Sequence, residues 1–154
     1  MIDFVIDATL KNRLALKKYL DDLALDQLNK IPDGFNNNVI WNIAHTVVTQ
    51  QLIVYKLSGE TPMVDDELIA SYKKGTKPEV DVSQIEVDDL KKLLFSTIEQ
   101  TEVDYNNARF KNFKSYSTSV GVTLNDIDQA IFFNMYHEGL HRGYIQALVR
   151  AMGL

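Results

Sequence analysis

The chain has 154 residues, and its 45% hydrophobic content is enough to form one continuous core. Its 16 basic and 21 acidic side chains give a net charge of -5, which disfavours binding to a nucleic-acid backbone. Cysteine is absent, which excludes disulfides, thiolate metal sites and cysteine nucleophiles, so any metal ligands must be nitrogen or oxygen atoms.

The chain shows no targeting or membrane signal. Asp3 and Asp7 interrupt the first apolar residues, which lack the basic leader and apolar run of a secretory signal. No segment has the unbroken apolar length of a membrane helix. We therefore expect a cytoplasmic protein that forms a single domain over residues 1–154 and binds neither membrane nor nucleic acid.

Helical patterns begin near the N-terminus. Leucines at helical spacing predict a first helix over about residues 8–28, and Pro32 breaks the pattern. The asparagines at 36–38 supply side-chain acceptors for a new helix start. A second helix is predicted over residues 39–57, and it should stop near Gly59.

A long connection follows the second predicted helix. Residues 58–86 contain breakers at Pro62, Gly75 and Pro78, and only residues 65–72 show a short helical pattern. We interpret this segment as a surface crossover between helices and not as a second domain.

Two further helices are predicted in the second half of the chain. The third covers about residues 87–110, and Thr123 is the predicted N-cap of a fourth over residues 125–152. Four helices with a long connection between the second and third indicate an all-α four-helix bundle. The fourth helix is apolar on more than one side, which predicts a homodimer interface.

All three histidines of the chain fall within predicted helices. His137 and His141 are four residues apart and share one face of the fourth helix, and His45 lies among apolar residues of the second. Three neutral imidazoles suit Zn, Ni, Cu or Fe and leave a position open to water or a substrate thiolate. The competing interpretation is three core histidines with ordinary hydrogen-bond partners.

The same residues contain a rival motif. Residues 137–141 spell HEGLH, the HExxH pattern in which zinc metallopeptidases use the glutamate as a general base. Those enzymes take a third ligand from further along the chain, but no histidine, aspartate or glutamate follows His141. Arg142 lies four residues after Glu138, which favours a surface ion pair or a supporting role for Glu138 over a general-base role.

Two stretches, WNIAH at residues 41–45 and HEGLHRGYI at residues 137–145, resemble the DinB family of metal-binding four-helix bundles, sometimes grouped with YfiT-like proteins. The resemblance continues through residues 65–78 and 116–124. It implies an up-down-down-up bundle, a zinc or nickel ion and commonly a homodimer. The family's metal ligands match three positions of this chain: His45, His137 and His141.

The resemblance also implies a chemistry. Some relatives are thiol-dependent transferases or isomerases that use bacillithiol, mycothiol or glutathione, which makes a small-molecule thiol and an electrophile the expected partners. Our first hypothesis is a metal-dependent thiol S-transferase-like enzyme. The alternatives are a non-catalytic metal-binding stress-response protein and a zinc hydrolase that uses HEGLH. Side chains within about two turns of the ligands are candidate pocket or catalytic groups: Trp41, Asn42, Thr49, Asn134, Glu138 and Tyr144.

Overall fold

Six α-helices and one short hairpin form the regular structure of the chain, described by a computed structural model over residues 1–154. The helices are α1 (Ile2–Asp22), α2 (Leu25–Asn29), α3 (Val39–Gln50), α4 (Asp66–Tyr72), α5 (Gln84–Asn106) and α6 (Ile127–Ala151). The antiparallel strands are β1 (Tyr116–Ser117) and β2 (Thr123–Leu124). None of the helices combines the length and apolar character that a bilayer crossing requires.

The first helix differs from its prediction at both ends. α1 already begins at Ile2, because Ile2 and Ile6 extend its buried face toward the N-terminus. It ends at Asp22, where Leu23 adopts an extended backbone, and the predicted tail forms the separate helix α2. No proline or glycine marks this break, and apolar residues at helical spacing continue across it, so the pattern alone predicted one helix over 8–28.

The second predicted helix, over residues 39–57, corresponds to a helical stretch of which only Val39–Gln50 is α-helix. The Asn38 side chain accepts a hydrogen bond of 2.9 Å from the Trp41 backbone N–H, which confirms the asparagine cap. After α3 the chain continues through a π-helical turn at Gln51–Tyr55 and a 3-10 turn at Lys56–Ser58. It stops at Gly59, whose φ of 76° is left-handed and favours glycine.

The crossover and the third helix follow the prediction in outline. The short helical piece is α4, which packs against α3. α5 starts at Gln84, before the predicted 87, because Ser83 and Glu86 form a reciprocal capping box. It ends at Asn106 and not at 110, since Asn107 leaves the helical conformation.

The predicted cap of the last helix is wrong. Thr123 pairs with Ser117 in the hairpin, and Asp126 caps α6 by accepting a hydrogen bond of 2.8 Å from the Gln129 backbone N–H. A carboxylate at this position also interacts favourably with the positive end of the helix dipole. α6 otherwise matches the prediction to within two residues at each end.

The long helices pack on one another around two apolar clusters. α1 contacts α5 and α6, and α3 also contacts α5 and α6. One cluster includes Leu16, Ile43, Val47, Leu94 and Ile145. The other includes Ile6, Val54, Tyr55, Ile98 and Ile131. The contact of α3 with α6 brings the three histidines together.

Candidate metal centre

The rings of the three histidines converge between α3 and α6. Their ring centroids are 5.2 Å apart for His45 and His137, 4.8 Å for His45 and His141, and 4.5 Å for His137 and His141. One nitrogen from each ring lies within 4.8 Å of the other two. His45 is 5% exposed and the other two are half-buried. The predicted convergence of the histidines is therefore present in the structure.

The ring of His45 is fixed by three neighbours. Its Nδ1 lies 2.6 Å from the backbone carbonyl of Tyr72, and because a carbonyl only accepts, Nδ1 carries the proton and donates. Nε2 therefore keeps its lone pair, and the Thr49 hydroxyl lies 3.3 Å from it. The Trp41 ring stacks on His45 with centroids 4.7 Å apart and an angle of 10°.

The ring of His141 is fixed in the same way by an asparagine. Asn42 Oδ1 lies 2.8 Å from His141 Nδ1. The orientation of the Asn42 amide follows from its other contact, because the Asn38 carbonyl can only accept the 2.7 Å hydrogen bond that Nδ2 donates. His141 therefore also carries its proton on Nδ1 and has a lone pair on Nε2.

The third ring lacks this support. His137 Nδ1 is buried and has no hydrogen-bond partner in the protein. The Phe133 ring lies against His137 with centroids 6.3 Å apart. A buried polar atom without a partner is uncommon, and at a cluster of histidines it is consistent with a ring organised for a ligand and not for core packing.

The surroundings hold all three imidazoles neutral. Burial lowers the pKa of His137 to about 3, with further lowering by His141 and His45. Burial, followed by His45, lowers the pKa of His141 to about 4. Burial also lowers the pKa of His45, partly offset by its hydrogen bond to Tyr72. At neutral pH each ring is in the deprotonated form that binds a metal.

This donor set fits a divalent transition metal. One nitrogen from each of the three rings lies within 4.8 Å of the other two, so the three imidazoles could serve as ligands of a single ion. Nitrogen-only ligands favour Zn, Ni, Cu or Fe over Mg or Ca. The cluster contains no carboxylate, and three protein ligands leave a coordination position for an outside molecule.

The predicted surface ion pair of Glu138 is wrong. Glu138 is fully buried, and its Oε1 lies 2.7 Å from Nη2 of Arg13, which is also fully buried. Arg142 is exposed. The prediction considered only neighbours on the same helix, whereas Glu138 faces α1. Because the guanidinium holds this carboxylate, Glu138 is not free to act as the base of a metallopeptidase.

The Arg13–Glu138 pair is part of a larger buried network. Arg13 Nη1 donates to the Leu94 carbonyl at 2.8 Å and to Thr97 Oγ1 at 2.7 Å. Asn134 Nδ2 donates to Glu138 Oε1 at 2.8 Å. The network therefore joins α1, α5 and α6. The sequence analysis did not identify Arg13 as part of the site. The one feature that pointed to its burial was its position on the leucine-rich side of the first helix.

The remaining candidates take different places. Trp41, Asn42 and Thr49 contact the histidines directly, as described above. Asn134 is 2% exposed and belongs to the buried network. Tyr144 is 39% exposed and contacts Phe35 edge to face, with ring centroids 5.6 Å apart.

Two pockets lie beside the histidine cluster, and each is lined in part by an aromatic residue whose ring contacts one of the histidines. The larger, of about 800 Å³, is lined by residues of α3, α4 and α5, among them Trp41 and Tyr72, and has several acidic side chains. The smaller is a shallow, open depression of about 470 Å³ beside the hairpin, and Phe133 is among its lining residues. None of its seven lining residues is charged.

The chain is mostly helical, and three neutral imidazoles converge between two of its helices. These two features place it in the class of helical proteins with a candidate metal centre. The family model described as the DinB superfamily matches residues 8–145, and the chain belongs to that superfamily. This finding confirms the resemblance seen at residues 41–45 and 137–145. A comparison with curated proteins finds no match.

Proposed function

We propose that the protein is a metal-dependent thiol S-transferase-like enzyme whose metal is held by His45, His137 and His141. The observation that carries the proposal is the convergence of three neutral imidazoles, two of which carry their proton on Nδ1 and therefore have an unprotonated Nε2, with no fourth ligand from the chain. Superfamily membership fits metal binding. Zinc or nickel is the metal we propose, because both suit imidazole ligands.

The bound ion would supply Lewis acidity that lowers the pKa of a low-molecular-weight thiol and stabilises its thiolate. The chain's own residues prepare the site for that ligand. The Tyr72 carbonyl and Asn42 hold two rings in the required tautomer, and Trp41 covers one face of His45. Phe133 packs beside His137 and supplies an apolar neighbour on the hairpin side of the site.

We place the electrophile in the 470 Å³ cavity beside the hairpin. Phe133 lines it and also packs against His137, which places it next to the candidate metal centre. Because its lining carries no charge, a neutral apolar electrophile can enter without leaving a charged group unpaired. The larger cavity has several carboxylates and lies behind Trp41, which makes it the poorer choice.

We also propose that the chain forms one up-down-down-up bundle. The second apolar cluster contains the start of α1 at Ile2, the start of α6 at Ala130, the late α5 residue Ile98, and Tyr55 after the end of α3. These positions support a fold in which α1 and α6 run in one direction while α3 and α5 run in the other.

A homodimer is the assembly that we propose. Phe132, Tyr136 and Leu140 follow one another at four-residue intervals on α6 and are 36%, 49% and 51% exposed. Residues four apart share one side of a helix, so the three form a continuous apolar stripe. Burial of this stripe against a second copy would remove it from water.

The test is a conjugation assay with zinc- or nickel-loaded protein, a panel of low-molecular-weight thiols and the neutral electrophile chlorodinitrobenzene. We expect metal-dependent product formation by the wild type, loss of activity in His137→Ala, and unchanged activity in Lys18→Ala, which alters an exposed residue of α1. Metal binding without turnover of any thiol would contradict the enzyme proposal and favour the non-catalytic stress-response alternative.

A further inference from the structure

Two buried side-chain atoms have no hydrogen-bond partner in this protein, Asn134 Oδ1 and His137 Nδ1. They belong to residues three apart on α6, which are neighbours on a helix surface. One is an acceptor, and the other becomes a donor when it carries the imidazole proton. The two unpartnered atoms are therefore chemically complementary.

We propose that Asn134 is the positioning residue of His137: its Oδ1 accepts a hydrogen bond from His137 Nδ1–H when Nε2 of that ring binds the metal. This inference rests on the proposed metal site and deepens it. The inference also gives the buried Arg13–Glu138 pair a role in the site. The pair holds the Asn134 amide in the orientation that leaves Oδ1 free to accept a hydrogen bond from the His137 ring.

The orientation of the Asn134 amide follows from its neighbour. The Arg13 guanidinium donates to both carboxylate oxygens of Glu138, at 2.7 and 3.1 Å for Oε1 and 3.3 Å for Oε2. That carboxylate accepts the 2.8 Å hydrogen bond from Asn134, which must therefore come from Nδ2. Oδ1 is the other end of the same amide, and it remains available for a different donor.

The other two histidines show the arrangement that His137 lacks. Nδ1–H of His45 is held by the Tyr72 carbonyl, and Nδ1–H of His141 is held by Asn42 Oδ1. Metal-binding histidines almost always donate their second N–H to such an acceptor, which fixes the tautomer and the ring orientation. With Asn134 in this role, each of the three rings would have one oxygen acceptor, two of them asparagine side chains.

The ion itself creates the need for this hydrogen bond. A neutral imidazole can carry its proton on either nitrogen, so metal-free His137 has two accessible tautomers. Coordination through Nε2 forces the proton onto buried Nδ1, where a donor without an acceptor is costly. A hydrogen bond to Asn134 satisfies both unpartnered atoms at once, so the gain appears in metal affinity and not in the stability of the metal-free fold.

The test compares wild type, Asn134→Leu and the control Asn36→Leu, which alters an exposed asparagine in the loop before α3. Zinc affinity is measured by chelator competition, and the melting temperature of each metal-free protein is recorded. We expect Asn134→Leu to lose about 10- to 100-fold in zinc affinity. Its metal-free melting temperature should also fall below that of the control, because the variant loses the hydrogen bond from Asn134 Nδ2 to the buried Glu138 carboxylate, so zinc affinity is the readout that separates the two roles. A purely structural asparagine would lower the metal-free melting temperature and leave the zinc affinity unchanged, and that result would overturn the inference.

Long-range proton–nitrogen NMR spectra of the zinc-loaded wild type test the same inference without a variant. We expect the His137 ring to be protonated at Nδ1 and coordinated through Nε2. Protonation at Nε2, with coordination through Nδ1, would overturn the inference even if zinc binds. If the wild type and His137→Ala bind zinc equally, the proposed metal site itself fails, and this outcome is distinct from failure of the Asn134 role alone.

Discussion

Two hydrogen bonds determine what the histidine side chains can offer to a ligand. The Tyr72 carbonyl and Asn42 Oδ1 each accept a hydrogen bond from an Nδ1–H, which leaves Nε2 of His45 and His141 unprotonated. Burial keeps both rings neutral and lowers the pKa of His141 to about 4. An ion would therefore meet ligands that need neither deprotonation nor a change of tautomer at these two positions.

The lowered pKa values predict a pH dependence of the metal-free protein. The unfolded chain protonates its histidines near pH 6.5, whereas folded His137 and His141 protonate only near about 3 and 4. Between these limits the unfolded state binds more protons, so stability is constant above about pH 6.5 and falls as pH decreases below it. Each such histidine contributes a slope of about 1.4 kcal/mol per pH unit.

Thermal unfolding of the metal-free protein between pH 7 and pH 5 measures this effect. We expect a melting temperature that decreases toward pH 5, with a shallower decrease in His137→Gln. A melting temperature that does not change over this interval would show that the histidines are not held neutral in the folded chain.

At the scale of the elements, the Arg13–Glu138 pair joins α1 to α6, and the further bonds of Arg13 reach α5. Removing one partner of a buried ion pair leaves the other charge uncompensated and costs about 3–5 kcal/mol, whereas replacing both with apolar residues can be nearly neutral. We predict large destabilisation in Glu138→Leu and in Arg13→Met, and a double variant more stable than either. The free energy of unfolding of the wild type, the two single variants and the double variant is measured by urea unfolding. If the loss in the double variant equals the sum of the two single losses, the prediction is contradicted.

A further prediction concerns the role of Phe133 of α6 in binding the electrophile beside the hairpin. If the electrophile binds in the adjoining cavity, Phe133→Ala removes an apolar contact to it while leaving all three histidines in place. We expect KM for a neutral aromatic electrophile to rise about tenfold, the effect of about 1.4 kcal/mol, with metal content unchanged. An unchanged KM in a metal-loaded variant would place the electrophile elsewhere.

Some elements were predictable from local patterns and others were not. The Asn38 cap, the stop at Gly59 and the two histidines on one face of α6 depend on neighbours in sequence, so residue spacing was sufficient. The Arg13–Glu138 pair joins residues separated by most of the chain, and local spacing instead favoured Arg142 as the partner. The end of α1 was missed because its backbone changes direction without a proline or glycine.

At the scale of the whole molecule, the exposed stripe on α6 predicts association. Leu140→Glu would place a charge at the C-terminal end of the stripe, where burial against a second copy is unfavourable without a partner. We expect a dimeric wild type and a monomeric Leu140→Glu by light scattering coupled to size exclusion, with Leu14→Glu, which alters an exposed residue of α1, as the control. A monomeric wild type would contradict the proposed assembly.

The central claim is that the three histidines hold one metal ion, and its most direct test is elemental analysis of protein purified without a metal-affinity tag. We predict about one equivalent of zinc, nickel or a related ion per chain in the wild type, and its loss in His137→Ala. If neither protein contains metal, and if added zinc or nickel neither binds nor raises the melting temperature of the wild type, the claim is contradicted and the histidines are core residues.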